Sequence, residues 1–307
     1  MLTATLTEEP LQASDRSTFA KVLRNTSVRI GGALLLMLCI ASLLAPWLGT
    51  IDPTLLDPEN RDLLPGASGS VMLLTGESFA HTFWMGTDSY GRDVYSRVLY
   101  GGRVSLIVGT AVALLSLAIG IAIGLTAGFF RWLDPVVMRV MDGLMAIPGI
   151  LLAIALVALW QASILTVIVA ITIPEIPRVT RLVRALVLSI REELYVEAAR
   201  AVGTTPFKLL WRHVLPNTLA PLIVQGTYVC ASAILVEAIL SFLGVGLSTD
   251  VPTWGNVMAE GRLQFNLYPH NVLFPGVFLA ITVLAVNILG DGLRDTLDPR
   301  FNKRGER

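Results

Sequence analysis

Six long apolar segments, at about 30–48, 104–128, 136–159, 163–178, 217–245 and 272–290, decide most of what this chain can become. A helix needs roughly 20 mostly apolar residues to cross a hydrocarbon core, where only helices and closed barrels satisfy their own backbone groups. The segments therefore predict an all-α membrane protein with six transmembrane helices. Composition agrees: 54% of the 307 residues are hydrophobic and 15% are charged, against roughly 25% charged in a soluble domain. Only Gln161 and its neighbours separate the third and fourth segments, which makes them a tight helical hairpin. The fourth is the most interrupted, with Pro174 and Pro177 near its end and Glu175 between them.

Basic residues set the orientation, because they are retained on the cytoplasmic side. With the N-terminus inside, all but Arg61, Arg92, Arg97, Arg103 and Arg262 of the 23 Lys and Arg fall in inner segments. Both termini are thus expected in the cytoplasm. Residues 1–29 form a polar tail, and the apolar run after it is too long for a cleaved signal, so it is a retained first span. A formal net charge of zero gives no ground for nucleic-acid binding; the bulk partner is membrane lipid.

The outer loop, 49–103, is too long to be a mere connector. At its end Val94, Tyr95, Val98 and Leu99 recur at helical spacing beside Arg92, Asp93, Ser96 and Arg97. That pattern predicts an amphipathic helix in the membrane interface leading into the second span, or a contact for a partner or substrate. In the third span Ile147-Pro148-Gly149 interrupts the backbone ladder and predicts a bend, which either lines a pathway or serves packing. Arg139 and Asp142 are spaced to pair.

Glu237, in the fifth span, is the one acid between His213 and Asp250. An ionisable group there is costly and points either to a gate or substrate contact or to a structural hydrogen bond. The glycines of Ser241-Phe242-Leu243-Gly244-Val245-Gly246 permit close helix approach, and the aromatics around Thr253-Trp254-Gly255 suit the membrane interface. Cys39 and Cys230 lie in separate apolar runs and read as small buried apolar residues.

Several chemistries lack their residues. His81, His213 and His270 all lie outside the apolar runs, so a membrane-embedded protease has no base or metal ligands there. None of Lys21, Lys208 and Lys303 follows a glycine, so the phosphate-binding loop G-x-x-x-x-G-K-[ST] is missing. The chain is not expected to be an enzyme, and an ATP-driven role needs a partner. An ion-driven transporter would call for intramembrane charges and an internal repeat; only Glu237 and Glu175 approach the first condition.

The one sizeable inner loop runs from Arg178 to His213. A helix from about Ser189 should stop at Val202 because Gly203 follows, and a second should begin near Thr205 with Pro206 at its first position. Ala198, Ala199 and Ala201 leave little bulk, while Glu197 and Arg200 offer charge. Such a pair of helices is either an ordinary amphipathic loop or a surface that takes a push from a soluble partner.

Glu197-Ala198-Ala199, then Gly203, then Leu215-Pro216, resembles the EAA loop of membrane subunits of ABC importers; that pattern usually has Ile where His213 stands. Gly86-Thr87-Asp88, Gly91-Arg92-Asp93, Ser96-Arg97 and Tyr100-Gly101-Gly102-Arg103 resemble the entry segment of the dipeptide/oligopeptide/nickel permeases, specifically their C-type subunit. So do Ser241-Phe242-Leu243-Gly244, Trp254-Gly255 and Gly290-Asp291-Gly292-Leu293-Arg294-Asp295. Asp250-Val251-Pro252 departs from the Pro-Pro pair frequent before the Trp-Gly. The resemblance covers roughly Ile30 to Arg300.

It implies a type I importer transmembrane domain, with a five-helix core at 104–290, a coupling loop at 179–216 and a cytoplasmic tail at 291–307. Glu197, Ala198, Ala199, Arg200, Gly203, Leu215 and Pro216 would contact an ATP-binding subunit; Glu237 and Pro148 are the pathway or gate candidates. Two such ATPases would bind ATP and Mg, leaving no cofactor in this chain. A B-type permease and an extracytoplasmic solute-binding protein complete the implied assembly, in a bacterial or archaeal cytoplasmic membrane. The implied cargo is dipeptides or oligopeptides, with nickel, glutathione or another small solute as alternatives.

Overall fold

The computed structural model describes residues 15–72, 76–160 and 163–297. Helix α1 (Asp15–Arg24) meets α2 (Thr26–Leu43) at Asn25, whose side chain accepts hydrogen bonds from the Ser27 and Val28 amides. That cap starts the first apolar helix four residues earlier than the 30–48 run suggests. A 3₁₀ turn at Ala45–Trp47 follows its end. Arg103 donates to the carbonyls of Ser42 and Leu43 at 2.6 and 3.0 Å, satisfying free acceptors at the end of α2.

The 49–103 loop, expected on the outer side, contains an antiparallel hairpin, β1 (Ala67–Met72) and β2 (Ser78–Phe83), with Ala67 opposite Phe83. Its short Ser- and Gly-containing strands gave no clear alternation in the sequence. Among the described residues no separate interfacial helix precedes residue 94. Residues 94–103 are instead the first turns of α3 (Val94–Phe129), a single 36-residue helix capped by the Asp93 carboxylate. Their polar face meets protein: Arg97 is 1% exposed and lies 3.1 Å from both Asp88 and Glu260. Arg92 bonds to Asp88 at 2.7 Å and also to Glu260. Three buried charges and the half-buried Glu260 thus fasten the loop to helix α10 (Trp254–Gly261).

Next come α4 (Asp134–Met145) and α5 (Gly149–Leu159), bent by 84° at the Pro148 break. The expected bend is therefore present. Asp142 pairs with Arg181 of the helix that follows α5, an interhelical pairing in place of the expected local one with Arg139. Helix α6 (Ile164–Ile190) runs unbroken through Pro174 and Pro177, well past the expected end at 178. Packing explains why two lost ladder bonds do not stop it. Val179, Val183 and Val187 of α6 are fully buried and sit over Gly120, Gly124 and Gly128 of α3, where an added Cβ would lie 2.5 to 2.8 Å from a valine carbon. Both series repeat every four residues, so they form one seam along the two helices.

After the loop helices α7 (Leu194–Ala201) and α8 (Pro206–Leu209), a π turn at Leu210–Val214 leads into α9 (Leu215–Phe242). Gly244 ends α9 with φ of +79°, and an added Cβ would meet nothing within 4 Å. It thus serves a left-handed turn, where close helix approach was expected. Trp254 also departs from expectation: it is fully buried, with its indole N–H donating to the Val98 carbonyl at 3.0 Å, so it anchors α10 in the core instead of marking an interface. The last described element is α11 (His270–Leu297), which packs on α2 and α9 and extends past 290 into the expected tail. Cys39 and Cys230 are free and half-buried, where full burial was expected.

Among the described residues four helices are long and apolar enough to cross a membrane, and five if the bent α4–α5 pair is one span. Helix α6 is long enough but carries Glu175, Arg178, Arg181 and Arg184. The molecule is thus a mostly helical, multi-pass membrane protein.

Candidate functional site: an exposed loop helix

The expected Ser189–Val202 helix is divided in two. Helix α6 ends at Ile190, a turn closes through the Glu192 and Glu193 amides to the carbonyls of Ser189 and Ile190, and α7 then begins. Its end is as the sequence predicts. Gly203 has φ of +86°; its amide bonds to Arg200 O at 3.0 Å, and the Thr204 amide bonds to Ala199 O at 3.1 Å. This paired pattern is the Schellman termination, which suits glycine because a Cβ disfavours the left-handed region. Pro206 opens the next helix as expected.

Anchoring comes from one side only. Val196, Leu209, Leu210 and Val214 are buried in the main core cluster, and Ala199 and Leu215 pack against it half-buried. Asn217 donates its side-chain amide to the Tyr195 hydroxyl at 3.2 Å and to the His213 carbonyl at 2.6 Å, hooking α7 to the base of α9. Burial lifts the Tyr195 phenol above its ordinary pKa, and the Glu193 carboxylate adds to the effect, so the hydroxyl keeps its proton at neutral pH. His213, half-buried, has its ring 6.4 Å from that of Tyr195.

The other side is open. Glu197, Ala198, Arg200, Gly203 and Pro216 are exposed, so the candidate residues divide into an outward face and two attachment points. Leu194, Val202 and Phe207, at 82%, 88% and 72% exposure, add a large apolar surface that the sequence reading did not single out. The signal was available, since these side chains flank the small residues on a short helix. Beside them a cavity of about 540 Å³ is lined by Arg131, Arg191, Arg200 and Thr204. An apolar, partly basic patch around a short helix suits docking of another protein.

The two pathway candidates lie apart. Glu237 is fully buried; Ser105 Oγ and Ser241 Oγ donate to its carboxylate at 3.2 and 2.9 Å. Pro148 instead borders a cavity of about 330 Å³ that it shares with Glu175, Arg178 and Ser232. Among the described residues no group of three or more His, Cys, Asp or Glu is placed to hold a metal ion.

Residues 101–303 match the family described as binding-protein-dependent transport system inner membrane component. The chain belongs to this family. A probable peptide ABC transporter permease protein of Sinorhizobium fredii is 50% identical over 281 residues, covering 92% of this chain and 91% of the relative. The dipeptide transport system permease protein DppC of Alkalihalophilus pseudofirmus is 38% identical, with 93% and 90% covered. The glutathione transport system permease protein GsiD of Pectobacterium atrosepticum is 43% identical, with 74% and 75% covered. Among solved structures, a chain of the inward-facing MetNI methionine ABC transporter aligns with a TM-score of 0.54 at 19% identity, covering 66% of this chain and 96% of that one. At that identity the likeness concerns the fold alone.

Proposed function

We propose that this permease is one of two membrane subunits of an ATP-driven importer that carries peptides across the cytoplasmic membrane. In this reading α2, α3, the bent α4–α5 pair, α6, α9 and α11 are six spans, and both termini face the cytoplasm. Helix α7 docks on an ATP-binding subunit, a second permease encloses the pathway from the other side, and a solute-binding protein delivers cargo from outside. ATP and Mg belong to the partner ATPases.

One observation carries the coupling assignment: α7 is held on one face by the core and bare on the other. Because α7 lies between the ends of α6 and α9, a displacement imposed by an ATPase passes to both as a rigid-body shift. The peptide cargo is supported by the names of the relatives covering more than nine-tenths of the chain.

The test is transport by the reconstituted complex. Glu197→Lys reverses a charge on the exposed face, and Gly203→Glu adds bulk and strain at its end. Each variant is expected to assemble and to lose dipeptide uptake together with cargo-stimulated ATP hydrolysis. Normal uptake and normal stimulation in both variants would remove the assignment.

A further inference from the structure

With α6 taken as one of the six spans of the reading above, its cap at one edge of the hydrocarbon core, the helix carries charge at a depth where lipid does not tolerate it. Counted from its cap at Ser163, Glu175 and Arg178 lie about 18 and 22 Å along the axis at 1.5 Å per residue, within a core of about 30 Å. A charged group at that depth belongs in the bundle interior or against water. The two side chains answer differently.

Glu175 is withdrawn. Its side chain is 10% exposed, it accepts from Ser232 Oγ of α9 at 3.1 Å, and its other oxygen lies 3.1 Å from Arg178 Nη1. Arg178 is 60% exposed and reaches outward past that contact. Both border the cavity at the α4–α5 break, with Pro148, Gly149 and Pro174 around them. At this break α5 turns by 84° from the line of α4, and Arg178 stays uncovered beside it. A guanidinium has five N–H donors in a planar fork, and Glu175 engages Nη1 alone. The remaining donors suit a carboxylate, which the fork can bind in bidentate fashion.

We propose that Arg178, positioned by Glu175, projects into the aqueous passage between the two permease halves and contacts the terminal carboxylate of the cargo during translocation. The proposal rests on the peptide-importer reading above and names the chemistry that this subunit adds to cargo selection. Glu175 has the role of a positioning residue: it fixes the direction of the guanidinium and offsets its charge when no cargo is present.

The experiment uses the full complex in nanodiscs, with Cys39→Ala and Cys230→Ala as background. Arg178→Cys should react with a charged, membrane-impermeant methanethiosulfonate in the nucleotide-free state, the ATP-bound state or both. Leu114→Cys, exposed in the middle of α3, should not react. Absence of reaction at 178 in both states, while Val202→Cys reacts, overturns the passage assignment and points to burial against the second permease. In proteoliposomes, Arg178→Gln should raise KM about tenfold for a dipeptide with a free carboxylate, the loss of one charge-assisted contact, and leave KM unchanged for its C-terminal amide. Equal shifts for the two cargoes overturn the carboxylate contact. Glu175→Gln should give the same selective change in smaller degree, with no change for the amide. If the unmodified complex takes up neither cargo, the importer reading fails, whereas thiol reactivity still decides the passage assignment independently.

Discussion

The seam between α3 and α6 makes a quantitative prediction at Gly124. A methyl group there would lie 2.6 Å from Val183 Cβ and 2.8 Å from the Thr180 carbonyl oxygen, while carbon contacts are favourable only near 3.5–4.0 Å. Neither neighbour is the free end of a flexible chain, so α6 must retreat by about 1 Å. Alanine gains about 1 kcal/mol of helix propensity over glycine; overpacking costs about 1–3 kcal/mol, and a gap of this size forfeits a quarter to a half of each contact it opens. Gly124→Ala should therefore lower the stability of the purified complex by about 1–2 kcal/mol, and Val183→Ala by about 2 kcal/mol through lost packing. Combined, the two should cost less than their sum by about 1–2 kcal/mol, because the smaller residue on α6 makes room for the new methyl. Unfolding in mixed detergent, followed across the four-member cycle, measures this. A neutral or stabilising Gly124→Ala, or strict additivity, would refute the seam as the constraint that seats α6.

Three further outcomes follow from the same geometry. Arg97→Ala leaves Arg92 alone against both Asp88 and Glu260, with one acid charge of the cluster uncompensated, and should cost about 3–5 kcal/mol, read as loss of membrane-assembled complex; Arg97→Lys should recover part of it. Trp254→Phe removes the indole donor to Val98 and should cost about 1 kcal/mol in a thermal melt, with transport otherwise retained. Gly203→Ala, forced into the left-handed region with open space around it, should cost about 1–2 kcal/mol locally, seen as faster amide exchange through 194–204, whereas Gly203→Asn should cost less.

Much of this architecture was legible because it depends on local rules. Apolar length marked the four helices, or five with the bent pair, that among the described residues are long and apolar enough to cross a membrane, Pro148 marked the bend, and Gly203 with Pro206 marked the two ends of the loop turn. What escaped the sequence depends on neighbours. The polar face of residues 94–103 looks solvated, yet its Arg97 is buried against Asp88 of the preceding loop and Glu260 of another element. Trp254 has the composition of an interfacial residue and the position of a core one. Helix α6 survives two prolines because valines on its far side fill a glycine groove, a pairing that neither segment announces alone. The exposed face of α7 was readable as far as the Glu-Ala-Ala and Gly signals. Leu194, Val202 and Phe207 became visible only once burial separated outward from inward side chains, and Arg178 only once it stood uncovered beside the bent pair.

The central claim, that the bare face of α7 docks on an ATP-binding subunit, is tested most directly by site-specific photo-crosslinking from position 198 in the assembled complex. Ala198 is exposed and small, so a benzophenone side chain there should reach whatever covers the helix. The account predicts an adduct with the ATP-binding subunit, and none with it from a matched probe at Ser78 on the outer hairpin. An adduct from position 198 only with lipid or with the second permease, in a complex shown to contain the ATPases, would contradict it.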